Sequence, residues 1–140
     1  MDWKLELVLV PVSDVDRAKT FYTEKAGFNL DLDYRAGDDF RVVQLTPPGS
    51  ACSISVGTGI TEAAPGSVQG LHLVVSDIDA ARAELVKRGV VVSEVQHFES
   101  GKWVPGPDPL RRDFSSFAFF SDPDGNSWVV QEGRWSEPAA

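Results

Sequence analysis

The chain of 140 residues contains one cysteine, one methionine and two histidines. A single thiol, Cys52, excludes an internal disulfide and agrees with a reducing compartment. Cys52 sits in the run Ala51-Cys52-Ser53-Ile54 with no basic neighbour to activate it, so a packed structural thiol is expected. Positive charge is also scarce. Thirteen Lys and Arg face 21 Asp and Glu, a net charge of −8, which argues against a nucleic-acid partner because phosphates need a basic surface. Acidity favours solubility and would draw a cationic ligand to an acidic cleft. No apolar run approaches the ~20 residues that a membrane-spanning helix requires. Met1-Asp2-Trp3-Lys4 runs straight into an alternating strand pattern, with no sign of a secretory leader. A soluble, cytoplasmic protein without membrane partners is the expectation.

Apolar residues make up 42% of the chain, ordinary for one folded domain or two small repeats sharing a core. The repeat is visible. Val12-Ser13-Asp14-Val15-Asp16-Arg17-Ala18 recurs as Val75-Ser76-Asp77-Ile78-Asp79-Ala80-Ala81, with five of seven positions identical. An apolar strand precedes each copy, Leu5 to Val12 and Leu71 to Val75. A helical stretch follows each and stops at Gly27 or Gly89, natural left-handed caps. One supersecondary unit is therefore used twice.

Ser13 or Asp14 is expected to cap the first helix by accepting its free N–H groups, and Asp16 suits the positive helix end. Val15, Ala18, Phe21 and Tyr22 share one face of that helix. Ile78, Ala81, Leu85 and Val86 are their counterparts in the second. Strands are predicted near residues 29–34, 40–46 and 52–56, then near 91–97, 115–120 and 127–131. Turn-forming clusters such as Pro47-Pro48-Gly49-Ser50 and Asp122-Pro123-Asp124-Gly125-Asn126 separate them. The predicted fold is α+β: two βαβββ repeats, with mixed sheets curved around a central cleft and helices outside. Repeat one covers residues 1–58 and repeat two 67–132, with a linker at 59–66 and a tail at 133–140, all within one domain of residues 1–140. Trp128 and the phenylalanines at 40, 117, 119 and 120 are assigned to the core by default. Trp135 is a candidate for docking on a neighbour.

Two stretches carry a resemblance. Leu9-Val10-Pro11-Val12-Ser13-Asp14-Val15-Asp16-Arg17-Ala18-Lys19-Thr20-Phe21-Tyr22 resembles the opening strand and helix of the vicinal-oxygen-chelate superfamily, which holds glyoxalases, bleomycin-resistance proteins and dioxygenases. Phe119-Phe120-Ser121-Asp122-Pro123-Asp124-Gly125-Asn126-Ser127-Trp128 resembles its last hairpin. Enzymes of that superfamily hold a divalent metal, which acts as a Lewis acid. Carried over, the ligand positions are Leu7 and Gly70, seven residues before each capping Asp, and Val129, four after the hairpin glycine. None of these side chains can bind a metal. His72 and Gln131 lie two residues beyond Gly70 and Val129, hence on the same side of their strands. Two such groups are too few for a tight site. No metal or other cofactor is expected, although a divalent ion at a non-standard site stays open.

The expected cleft lining is Leu7, Leu9, Gly70, His72, Val129 and Gln131, with Trp103 and Arg111 supplied by a loop. His72 is either a hydrogen-bonding histidine or a general base. The stretch from His97 to Asp113 is rich in Pro and Gly, so no regular element is expected there. It reads as a binding loop, with Trp103 a flat surface and Arg111 or Arg112 a carboxylate clamp, or as a surface loop packed on itself or at a dimer interface. Two functions follow from the resemblance. One is a glyoxalase-like lyase, isomerase or tailoring enzyme acting on a small oxygenated metabolite. The other is a metal-free protein of the bleomycin-resistance type that sequesters a drug. A homodimer is implied in either case.

Overall fold

The computed structural model describes residues 1–134. Element order is β1 (Leu7–Leu9), α1 (Val15–Thr20), β2 (Asn29–Ala36), β3 (Phe40–Thr46), β4 (Ser53–Thr58), β5 (Leu71–Val75), α2 (Ile78–Lys87), β6 (Gln96–Glu99), β7 (Lys102–Pro105), β8 (Ser116–Ser121) and β9 (Ser127–Glu132). The strands form two mixed sheets, ordered β1-β4-β3-β2 and β5-β9-β8-β6-β7. In each half the first strand pairs in parallel with the last, β1 with β4 and β5 with β9. The repeat in the sequence is thus a repeat in topology. No helix among the described residues is long and apolar enough to cross a membrane.

The chain divides into two compact units. The first holds residues 1–69 and the turn 121–126. Asp14, not Ser13, caps α1, accepting the Arg17 N–H at 3.0 Å. Ser13 instead donates its N–H and its hydroxyl to Asp124, at 3.1 and 2.6 Å. Beyond Thr20 the helix widens into a π-turn, Phe21–Lys25, and Ala18, Phe21 and Tyr22 are buried. Strict alternation in β3 puts Val43 and Leu45 on the buried face with Ile54 and Val56 of β4. Each such side chain contributes about 1.5–3 kcal/mol through burial. The Asp-Pro-Asp-Gly-Asn turn is a fully bonded polar knot. Asp122 accepts from the Tyr22 hydroxyl and the Asn126 side-chain amide, each at 2.8 Å, and from the backbone N–H of Asp124 and Asn126. Asn126 also donates to the Pro11 carbonyl and accepts from the Val68 N–H.

The second unit holds residues 70–120 and the chain from Ser127. Asp77 caps α2, and the Glu132 carboxylate accepts the buried Ile78 N–H at 3.0 Å. Ile78 is buried, but Val86 is exposed. The half-buried Arg82, whose Nε donates to the Ser93 carbonyl, falls within the stripe in its place. Two expectations are corrected. The strand expected over 91–97 becomes β6 only at Gln96, because the Phe119 N–H bonds the Ser93 hydroxyl instead of a backbone carbonyl. The stretch 97–113 does contain a strand, β7. Ser100 and Gly101, at φ 52° and 79°, make a two-residue turn of the kind that matches strand twist, so β6 and β7 form a hairpin. Pro105 lies at the end of that hairpin and the other prolines fall beyond it. The second half is therefore βαβββ with one extra edge strand.

Candidate functional site

Register decides which side chains share a face of the five-stranded sheet. Trp128 stacks on Phe120 at 6.1 Å between centroids, and both are buried on the same side as Val130. Alternation then turns Val129, Gln131, Phe117 and Phe119 to the other side. His72 pairs with Val129 and Val74 with Gln131, so both join that face. Gln96 pairs with Phe117 and Pro105, and Phe98 with Trp103, which extends the face across the hairpin.

The result is an aromatic surface. The Trp103 ring centroid lies 5.3 Å from that of Phe98, 5.6 Å from Phe117 and 5.7 Å from Phe119, all edge-to-face. Trp103 and Phe98 remain half exposed, and Phe117 and Phe119 are half-buried. Interlocked rings hold one another at fixed angles and add to the area they cover. Polar groups are few here: His72, Gln96 and Gln131. The His72 Nδ1 lies 2.6 Å from the Gly70 carbonyl, which can only accept, so Nδ1 carries the proton. In neutral imidazole that leaves Nε2 as an acceptor.

The structure brings His72, Trp103, Val129 and Gln131 to one face. Gly70, at φ 80°, contributes the carbonyl that orients His72. Leu7 and Leu9 lie in the four-stranded sheet, paired with Ser53 and Ser55. Arg111 is elsewhere. Its guanidinium bonds Glu132 at 2.7 Å and Asp79 at 2.5 Å, on the α2 side of the sheet. Arg112 grips the buried Asp108 with two bonds and holds that carboxyl well below the usual range. Phe98, Phe117 and Phe119 were not among the expected site residues. Parity within Phe117-Ala118-Phe119-Phe120 was the available signal, since only one set of alternate rings can face the helix. Phe40 also departs from its core assignment and is partly exposed.

The family's metal finds no fit. Positions 7, 70 and 129 offer no donor side chain, and among the described residues no three His, Cys, Asp or Glu side chains come together. Cys52 is half-buried, and burial pushes its thiol up, away from the reactive thiolate.

His97 is held differently from His72. It is buried, with Nδ1 2.7 Å from the Gly106 carbonyl and Nε2 3.2 Å from a Glu99 carboxylate oxygen. Both partners accept, so only the imidazolium satisfies both. The Gly106 bond first, and Glu99 second, raise its pKa above 6.5 against the opposing effect of burial. A raised value means the stabilisation is complete below 6.5 and is lost as pH climbs through the folded value. The unfolding midpoint is expected to fall over that window in the native protein and to stay flat in His97→Gln. Equal slopes would show that the two bonds do not depend on the proton.

A helix-backed βαβββ sheet used twice is the scaffold this architecture defines, here with no donor side chain at positions 7, 70 and 129. The chain belongs to the glyoxalase/bleomycin resistance protein/dioxygenase superfamily, whose family model matches residues 4–130. Among solved structures it is similar to TnmS3, an antibiotic binding protein from Streptomyces sp. CB03234. That match has 34% identity and a TM-score of 0.73, covering 95% of this chain and 98% of the other. A glyoxalase/bleomycin resistance protein from the same organism is 36% identical, with a TM-score of 0.69 and coverages of 91% and 99%. A superfamily member from Sphaerobacter thermophilus DSM 20745 is 28% identical, with a TM-score of 0.71 and coverages of 94% and 98%. No curated protein matches the chain.

Proposed function

We propose that this is a metal-independent binding protein that sequesters a planar, largely apolar small molecule of antibiotic type. The observation that carries the reading is the aromatic face, with Trp103 set among Phe98, Phe117 and Phe119. Flat rings and few polar groups suit a flat ligand whose orientation is fixed by two or three hydrogen bonds. His72 Nε2 and the Gln96 and Gln131 amides, on the same face, would make them. Similarity to an antibiotic binding protein over nearly the whole chain supports the same reading. The protein acts in the cytoplasm as a homodimer, and a monomer by light scattering at micromolar concentration would oppose that part.

A glyoxalase-like lyase or isomerase reading has one observation in its favour, the His72 Nδ1 bond to the Gly70 carbonyl, which leaves Nε2 of the neutral ring an acceptor that could serve as a general base. One experiment separates the two. The protein, stripped with chelator, is titrated with acridine and with anthraquinone by calorimetry, and each compound is then recovered and chromatographed. Micromolar binding with quantitative recovery is expected. Conversion of a bound compound that stops in His72→Ala would replace sequestration with catalysis, and binding that appears only after metal is restored would overturn the metal-independent reading.

A further inference from the structure

The first compact unit carries a cavity of about 330 Å³ on the helix side of the four-stranded sheet. We infer that it binds a short zwitterion of amino-acid type, with the ligand carboxylate on Arg35 and Arg41 and its ammonium on Asp38 and Asp14. The cavity shares no residue with the aromatic face, and the inference does not depend on that reading.

Register builds the cationic part. Arg35 of β2 pairs directly with Arg41 of β3, so both side chains leave the sheet on one face. Alternation makes it the face of Val43 and Leu45, on which α1 lies, with Asp16 accepting from Arg41 and Lys19 donating to Asp33, each at 2.8 Å. Arg41 is buried and also donates to both carboxylate oxygens of Asp33. Arg35 is exposed and, among the described residues, makes no hydrogen bond or ion pair. Like charges directly opposite on a sheet repel, and an anion beside both relieves that repulsion. Asp16 does so for Arg41, and Arg41 first, then Arg35, hold its carboxyl below the usual range. The planar fork of Arg35 is left to take a second carboxylate.

The same cavity is lined by carboxylates that Arg35 does not reach. Asp38, in the turn between β2 and β3, has no bonding partner among the described residues. Asp14 gives one oxygen to the Arg17 N–H and keeps the other. Opposite charges that line one cavity without pairing are what a ligand bearing both charges would bridge. The frame also resists their collapse onto each other. A Cβ on Gly57 would strike the Arg41 carbonyl and one on Gly59 the Asp39 carbonyl, so the end of β4 clamps the hairpin at close range. A lone anion would face Asp14, Asp16 and Asp38, and a lone cation would face both arginines, so neither suits the lining as a zwitterion does. The volume lies at the small end of the ~300–1,000 Å³ typical of ligand pockets, and the mostly polar wall calls for little hydrocarbon.

The test uses β-alanine, propionate and propylammonium, which share a three-carbon chain and differ in charge. Amide shifts are followed by two-dimensional NMR at constant ionic strength in the native protein, Arg35→Gln, Asp38→Asn and Trp103→Ala. β-Alanine should shift the amides of residues 14, 35, 38 and 41 with a dissociation constant on the order of 1 mM, and each single-charge probe should bind about tenfold more weakly. Arg35→Gln and Asp38→Asn should each weaken β-alanine about tenfold while leaving the thermal midpoint of the free protein unchanged or higher, a pairing that damage to the fold does not give. Trp103→Ala should leave these shifts intact, so failure of the aromatic-face reading would not be mistaken for failure here. No shift of these amides at about 10 mM, equal response to the three probes, or β-alanine shifts that persist undiminished in Arg35→Gln or Asp38→Asn would each overturn the proposal.

Discussion

Asp122→Ala is expected to cost about 3–5 kcal/mol of stability, the largest loss for any single side chain described above. The carboxylate serves four donors at once: the Tyr22 hydroxyl, the Asn126 side-chain amide, and the backbone N–H groups of Asp124 and Asn126. Tyr22 and Asn126 are themselves fully buried, so no solvent replaces the missing acceptor. Chemical denaturation should show the change as a shift in midpoint with unchanged slope, and the thermal midpoint should drop on the order of 10 °C. Tyr22→Phe removes one of the four bonds and should cost about 1 kcal/mol. A loss below that for Asp122→Ala would mean that the knot does not carry the turn.

Trp103→Ala is expected to weaken binding of a planar aromatic ligand by about 30-fold, the scale of a buried aromatic anchor worth about 2 kcal/mol. Removing the indole takes away its own area and the packing that fixes Phe98, Phe117 and Phe119. Trp103→Phe should recover part of the affinity. Stability should change little by comparison, because the residue is half exposed and sits on an edge strand. Calorimetry on the two variants and the native protein, with circular dichroism as the check on folding, decides it. Unchanged affinity in Trp103→Ala would remove the aromatic face from the site.

The twofold βαβββ plan was legible because the Val-Ser-Asp segment, its preceding strand and its terminal glycine recur together. Helix caps, the β3 alternation and the last hairpin follow from local chemistry and survive in the structure. The β6–β7 hairpin was not legible. Its positive-φ turn uses Ser100, a residue without a marked preference for that conformation, and prolines nearby mask the pattern. Site residues divided along the same line. His72, Val129 and Gln131 could be placed by parity from a motif, and the register bears out their shared face. Arg111 could not, since its ion pair with Glu132 and Asp79 joins a loop to a helix and a strand far apart in sequence. The phenylalanines at 117 and 119 read as core because hydrophobicity alone does not say which face of a sheet a helix covers.

The first compact unit is closed by residues 121–126, and the Tyr22–Asp122 and Pro11–Asn126 bonds span 100 and 115 positions. During synthesis, therefore, the leading half leaves the ribosome before Asp122, which accepts from the Tyr22 hydroxyl, and before Asn126, which joins Gly66 on the Pro11 carbonyl. Neither half can finish before nearly the whole chain has emerged. Ribosome-bound fragments ending before Asp122 should stay protease-sensitive throughout, and a single late transition should protect both halves together.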